Sequence, residues 1–258
     1  MKRFLQREDV NPDQASVNGA WTPLRWAAED GHEGIVKTLL QREEVDPNYA
    51  HPTWGYTALW CAARSGYERV VKLLLEREGL NPNLADTGCG QTPLSGAAEN
   101  GWEGVVRMLL ERDEVNTNQS DTRYHRTPLS LAAENGYASV VKLLVEREDV
   151  NPNTADIWYG RTPLAFATWL RYEGVVKILL GREDVNPNTA DAWYGRTPLS
   201  LAAESGHEGI VKMLLERNDV LTATLDNQDQ TPLSLALSNG HHEVVRILQE
   251  RAIPIPTR

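Results

Sequence analysis

The chain has 258 residues and a formal net charge of −10, with 26 Lys and Arg against 36 Asp and Glu. Hydrophobic residues make up 41% and mean hydropathy is −0.46, no run approaches the ~18 apolar residues of a membrane span, and Met1 to Asp9 turns acidic before a signal core can form. An isoelectric point near 5.1 argues against a nucleic-acid partner, and two cysteines, Cys61 and Cys89, give neither a disulfide framework nor metal-site spacing, so a reducing, cytoplasmic setting is expected.

In chain order, a fraction of a repeat comes first. Leu5-Gln6-Arg7-Glu8-Asp9-Val10-Asn11-Pro12 matches the stretch 180–187. A Thr-Pro-Leu signature then opens seven units, at Thr22, Thr57 (with Ala58 for Pro), Thr92, Thr127, Thr162, Thr197 and Thr231, at intervals of 35, 35, 35, 35, 35 and 34 residues. Such a period defines a repeat architecture. Each threonine is placed to cap a short helix whose first turn accepts proline. Paired alanines, as in Ala202-Ala203, leave room for a neighbouring helix. Gly31, Gly66, Gly101, Gly136, Gly206 and Gly240 stand where a left-handed residue ends it. A second helix carries an apolar face, as in Val140, Val141, Leu143, Leu144 and Val145. Asp-Val-Asn-Pro-Asn at 184–188 is turn chemistry. Asp191 to Arg196 then reads as a hairpin-like finger leading back to Thr197.

Through Thr-Pro-Leu-x-x-Ala-Ala-x-x-Gly-His and Val-Val-Lys-x-Leu-Leu the chain resembles the ankyrin repeat family over roughly residues 1 to 250. The period is 35 rather than the usual ~33. The near-identical units resemble the arrays common in filamentous fungi. The resemblance implies an all-α ankyrin repeat solenoid of seven helix-turn-helix units. The expected layout is one domain over 1–258: a partial repeat at 1–13, seven repeats at 14–250 and a tail at 251–258. Gln249, in the slot of Leu75, Leu110, Leu180 and Leu215, fits a polar terminal cap, so a complete domain is expected.

Seven copies can be compared with one another, and the departures mark candidates. Arrays of this family bind through finger tips and first helices, so the resemblance places a partner surface on the concave side. Trp and Tyr gather there, with the polar-edged bulk of binding hot spots. The candidate contacts are Trp26, Trp54, Tyr56, Trp60, Tyr124, Trp158, Tyr159, Phe166, Trp169, Trp193 and Tyr194, with Arg123, Arg126 and Arg171 as directional donors. Sideways packing of Trp158 on Trp193 and of Tyr159 on Tyr194 is the competing reading. The fifth unit departs most. Its finger, 151–164, differs from that of the sixth at one of 14 positions, yet Trp169 replaces a recurrent glutamate and Arg171 a helix-ending glycine. Gly96, in the slot of Leu131 and Leu201, is expected to leave a hollow. Glu29, Glu99, Glu134 and Glu204 share one slot and predict an acidic row that steers basic partners.

Catalytic motifs are absent: there is no phosphate loop, metal-binding helix or nucleophile elbow. His125 and Glu134 are the weak acid/base candidates. Cys61 and the histidines after the repeat glycines read as structural. The residues therefore favour a monomeric scaffold that binds a protein partner, without cofactor or metal, away from nucleic acid and membrane. The alternative is a small-molecule binder, or a cofactor-independent enzyme of cyclase or isomerase type, with its pocket around Gly96, His125, Glu134, Phe166 and Trp169. A passive spacer or inhibitor is a third reading.

Overall fold

A computed structural model describes residues 21–252. The partial repeat expected over 1–13 lies outside them, as do residues 253–258 of the expected tail. The described residues form fourteen helices and no strand, gathered into two compact units, one ending at Arg123 and the other starting at Tyr124.

The first unit pairs α1 (Pro23–Glu29) with α2 (Glu33–Leu40), α3 (Ala58–Ser65) with α4 (Glu68–Leu75), and α5 (Pro93–Glu99) with α6 (Glu103–Leu110). The second pairs α7 (Pro128–Glu134) with α8 (Ala138–Val145), α9 (Pro163–Trp169) with α10 (Glu173–Leu180), α11 (Pro198–Glu204) with α12 (Glu208–Leu215), and α13 (Pro232–Ser238) with α14 (His242–Ala252). Within each unit, first helices stack on first helices and second on second. Buried alanines such as Ala132, Ala133, Ala202 and Ala203 allow the first helices to lie close, and Val140, Val141 and Leu144 seal the layer beneath.

Local chemistry sets these short helices, which are too brief to form on propensity alone. All seven threonines accept the backbone N–H three residues on, at 3.1–3.3 Å, a cap worth ~1 kcal/mol. In every repeat but the fifth, the glycine after the first helix takes a left-handed φ, +75° at Gly136 and +69° at Gly206. A Cβ there would meet the Tyr172 ring at 2.8 Å or His241 at 2.5 Å, because the next repeat lays a side chain over the glycine.

Two sets of hydrogen bonds tie one repeat to the next. In the turns, Asn48, Asn83, Asn153 and Asn188 each donate Nδ2–H to a carbonyl of the following repeat and accept a backbone N–H from it, all at 2.7–2.8 Å. In the fingers, Thr87, Thr122, Ile157, Ala192 and Asn227 each donate a main-chain N–H to the preceding finger, at 2.7–3.0 Å. Each finger is a tight turn closed on itself, as by Asp156 N–H to the Arg161 carbonyl at 3.0 Å. A buried aspartate holds it: Asp156 Oδ2 accepts the N–H groups of Trp158 and Tyr159, and Oδ1 that of Arg161 at 2.7 Å.

Candidate functional site

The candidates divide between the units. Trp26, Trp54, Tyr56, Trp60 and Arg123 fall in the first, and Tyr124, Arg126, Trp158, Tyr159, Phe166, Trp169, Arg171, Trp193 and Tyr194 in the second. In the first unit Trp26 and Trp54 are exposed. Trp60 is not: it is 6% exposed, stacks on Tyr56 with ring centroids 4.1 Å apart, and donates Nε1–H to the Gln91 carbonyl at 2.9 Å. It fills the slot that Ser95 and Ser130 occupy elsewhere, pointing to the neighbouring repeat, and presents no surface to a partner. Gly96 leaves no hollow either, since a Cβ there would meet Arg64 Cβ at 3.3 Å.

In the finger leading to Thr57, His51 takes the place of the aspartate found at 86 and 121. It is buried, and its Nδ1 accepts the N–H groups of Thr53 and Trp54 at 3.0 and 3.2 Å. Burial, then the charge of Arg25, holds its pKa below the usual 6.5. A neutral histidine is therefore built into the fold. As pH falls below 6.5 the unfolded chain takes up a proton that the folded chain refuses, and stability declines until the folded-state pKa is reached. His207, also lowered first by burial, adds in the same direction. The thermal midpoint is expected to fall between pH 7 and 5.5, and His51→Asp to reduce that fall. Equal pH dependence in the two proteins would exclude His51 as a source. Cys61 is inert by the same logic, since burial pushes its thiol up to about 11.

The acidic row is cancelled at close range. Arg126 Nη1 meets Glu134 Oε2 at 2.7 Å, Arg196 Nη1 meets Glu204 Oε2 at 2.6 Å, and Arg25 and Arg64 stand 3.6 and 3.7 Å from Glu29 and Glu99. A finger arginine eight residues upstream supplies the counter-charge in the fourth and sixth repeats, so these glutamates do not form a free steering row. Arg126, expected as a donor to a partner, already donates to Glu134. His125 and Glu134 do not form an acid/base pair: His125 is exposed at a left-handed finger position, φ +62°, and does not line the cleft that Glu134 lines.

The second unit carries two clefts separated by Tyr159. One, of about 400 Å³, is bounded by Tyr124, Arg126, Glu134, Asp156, Trp158 and Tyr159, with Phe166 at its floor. The other, of about 310 Å³, lies between Tyr159, Arg161 and Trp169 on one side and Trp193, Tyr194, Arg196 and Glu204 on the other. Phe166 is 1% exposed; it packs where Leu131 and Leu201 pack and is core, not a contact. The expected single pocket is thus split, with Glu134 and Phe166 in one cleft, Trp169 in the other and His125 in neither.

The finger aromatics both pack sideways and remain open. Trp193 donates Nε1–H to the Trp158 carbonyl at 2.8 Å and lies 5.0 Å from Tyr159, centroid to centroid, yet Trp158, Trp169, Trp193 and Tyr194 are all exposed.

The fifth repeat concedes stability at several places at once. Arg171 takes the glycine turn with φ +62°, its N–H bonded to the Thr168 carbonyl at 3.2 Å. Thr168 stands where Ala133 and Ala203 stand, fully buried with no partner for its hydroxyl. Arg161, facing Trp169 instead of a glutamate, is buried with Nε and Nη1 unpartnered. Its guanidinium lies 4.1 Å from the Trp169 ring centroid and 4.9 Å from that of Tyr159. Arg161 and Arg196 were not among the residues singled out from sequence. The signal was present, as an arginine eight residues before a glutamate at 126/134 and 196/204, broken at 161/169.

A family model for ankyrin repeats matches residues 1–86, 78–156 and 174–257, and the chain belongs to the ankyrin repeat family. It is similar to the crystal structure of the ankyrin repeat domain of Bcl-3, a member of the IkappaB family, with 26% identity, a TM-score of 0.76, and 89% of this chain and 98% of that one covered. It is also similar to the human ASB11 ankyrin repeat domain, with 25% identity, a TM-score of 0.70, and 91% and 100% covered. Comparison with curated protein sequences gives no match. Ankyrin repeat domains generally act as scaffolds for protein–protein interaction. No helix among the described residues is long and apolar enough to cross a membrane.

Proposed function

We propose that the chain is a cytoplasmic, monomeric binding scaffold that recognises a protein partner through fingers and first helices, with its centre at the fifth repeat. One observation carries this reading. Trp169, Thr168, Arg171 and the under-bonded Arg161 concentrate bulk, strain and unmet hydrogen bonds in one repeat whose finger is otherwise a near-copy of its neighbour's. Concessions of this kind cluster where function holds them. Trp158, Trp169 and Trp193 supply exposed aromatic anchors beside it, the composition that dominates binding energy at interfaces.

The test is capture from the source lysate, followed by titration calorimetry on the captured protein. Trp158→Ala and Trp169→Ala are each expected to weaken binding by ~2 kcal/mol or more, and Arg69→Ala, an exposed change in the other unit, to leave it unaltered. Full affinity in both tryptophan variants would remove the fifth repeat as the centre of recognition.

A further inference from the structure

We propose that the cleft between the fifth and sixth fingers takes a carboxylate from an acidic residue of a polypeptide partner, seated against Arg161 and Trp169. The inference rests on the scaffold reading and names the chemistry of the partner at that site.

In the sixth repeat the finger arginine faces two carboxylates. Arg196 donates Nη1–H to Glu204 of its own first helix at 2.6 Å and Nε–H to Asp226 of the next finger at 3.3 Å. Arg161 holds the same position in the fifth repeat and has one. Asp191 of the next finger lies 3.7 Å from Nη2, beyond hydrogen-bond reach, and the helix position that would carry the glutamate carries Trp169. The Arg161 side chain is 7% exposed, and its Nε and Nη1 have no hydrogen-bond partner. A guanidinium left this way forgoes the forked, charge-assisted bonds that a carboxylate supplies. The group lines the cleft of about 310 Å³ while Nε and Nη1 themselves are covered, so a carboxylate from outside the chain meets them only as the neighbouring rings give way.

The walls say what should accompany it. Tyr159 and Trp169 both lie against the guanidinium, and Trp193 and Tyr194 form the opposite rim. Trp169 is 43% exposed and Trp193 53%. An enclosed small-molecule site buries most of its ligand; this one is open along its rim and suits a chain that passes through it. An acidic side chain flanked by aromatic residues satisfies Arg161 and covers the indoles together.

The experiment uses the full chain and four probes: the peptide acetyl-Ala-Phe-Glu-Phe-Ala-amide, its Gln counterpart, 3-phenylpropionate and 3-phenylpropionamide. Binding is read by calorimetry and by the Arg161 Nε–H resonance in nitrogen-15 NMR. The Glu peptide is expected to bind at least tenfold more tightly than the Gln peptide and to shift that resonance. Trp169→Glu supplies an internal carboxylate, as in the flanking repeats, and is expected to abolish the preference; Trp169→Gln is expected to weaken both peptides while keeping it. Equal affinity of the Glu and Gln peptides overturns the proposal, as does equal loss of preference in both Trp169 variants. Binding of 3-phenylpropionate alone, with neither peptide retained, overturns the polypeptide source. Loss of the scaffold reading is seen separately: the Glu peptide would still bind at Arg161, but no captured protein would depend on Trp169. Conversely, a captured protein indifferent to Trp169→Glu leaves the scaffold and removes the carboxylate.

Discussion

Resetting the end of α9 to the sequence of the fourth repeat, with Thr168→Ala, Trp169→Glu, Leu170→Asn and Arg171→Gly, is expected to raise the unfolding free energy by about 2–3 kcal/mol. Thr168→Ala removes a buried hydroxyl with no partner, worth ~1–2 kcal/mol. Arg171→Gly relieves the left-handed residue by ~1 kcal/mol. Glutamate at 169 restores the partner that Arg126 and Arg196 have, and asparagine at 170 restores the side-chain cap seen where Asn135 Nδ2 donates to the Leu131 carbonyl at 2.9 Å. Against these stands the part-buried face of Trp169, at ~1 kcal/mol. Denaturant unfolding followed by circular dichroism measures the sum. The value of the variant lies in its sign: partner binding lost from a protein that has become more stable is not explained by unfolding. A variant less stable than the parent would show that the irregular repeat is better packed than its unmet bonds imply.

Asp156→Ala acts in the opposite direction and is expected to cost about 3–5 kcal/mol. Asp156 is buried and accepts three main-chain N–H groups, from Trp158, Tyr159 and Arg161. Bonds to a charged acceptor contribute ~1.5–3 kcal/mol each, and removing the acceptor leaves the donors without a partner. The same carboxylate shapes the finger that presents Trp158 and Tyr159, so partner affinity should fall even where the variant is fully folded at low temperature. Asp156→Asn retains an acceptor oxygen and is expected to lose about half as much. If the alanine variant unfolds within 1 kcal/mol of the parent, the finger is held by its neighbours instead of its own turn.

Much of this fold is legible in sequence because its determinants are local. A threonine followed by proline, a glycine after two alanines and an asparagine-rich turn each act within four or five residues, and each recurs in register. What stayed hidden is relational. Whether Trp60 faces solvent or the next repeat is not decided by periodicity on an eight-residue helix; the Gln91 carbonyl, 31 residues on, decides it. Phe166 reads as an aromatic departure, but the slot is a core slot, already leucine at 131, 201 and 235. The glutamate row looked acidic because its cancelling arginines stand in different places: in the finger eight residues back for Glu134 and Glu204, one turn back on the same helix for Glu29, and on the preceding first helix for Glu99. Arg161 escaped notice for the complementary reason. It is conventional in its own position, and only the absence of its partner at 169 makes it unusual. The division at Arg123 leaves no mark on the period, which runs through it unchanged from Thr92 to Thr127.

The asparagine ladder in the turns bears on how such a chain changes over generations. Each rung joins a side-chain amide to main-chain groups of the following repeat, so it does not depend on which side chains that repeat carries. A crossover between two copies that keeps the 35-residue phase delivers a main chain of the right shape to every asparagine. Whole repeats can then be gained or deleted while the joints close as before. Novelty in the fingers and first helices can be copied along the array by recombination, with no compensating change at the seams.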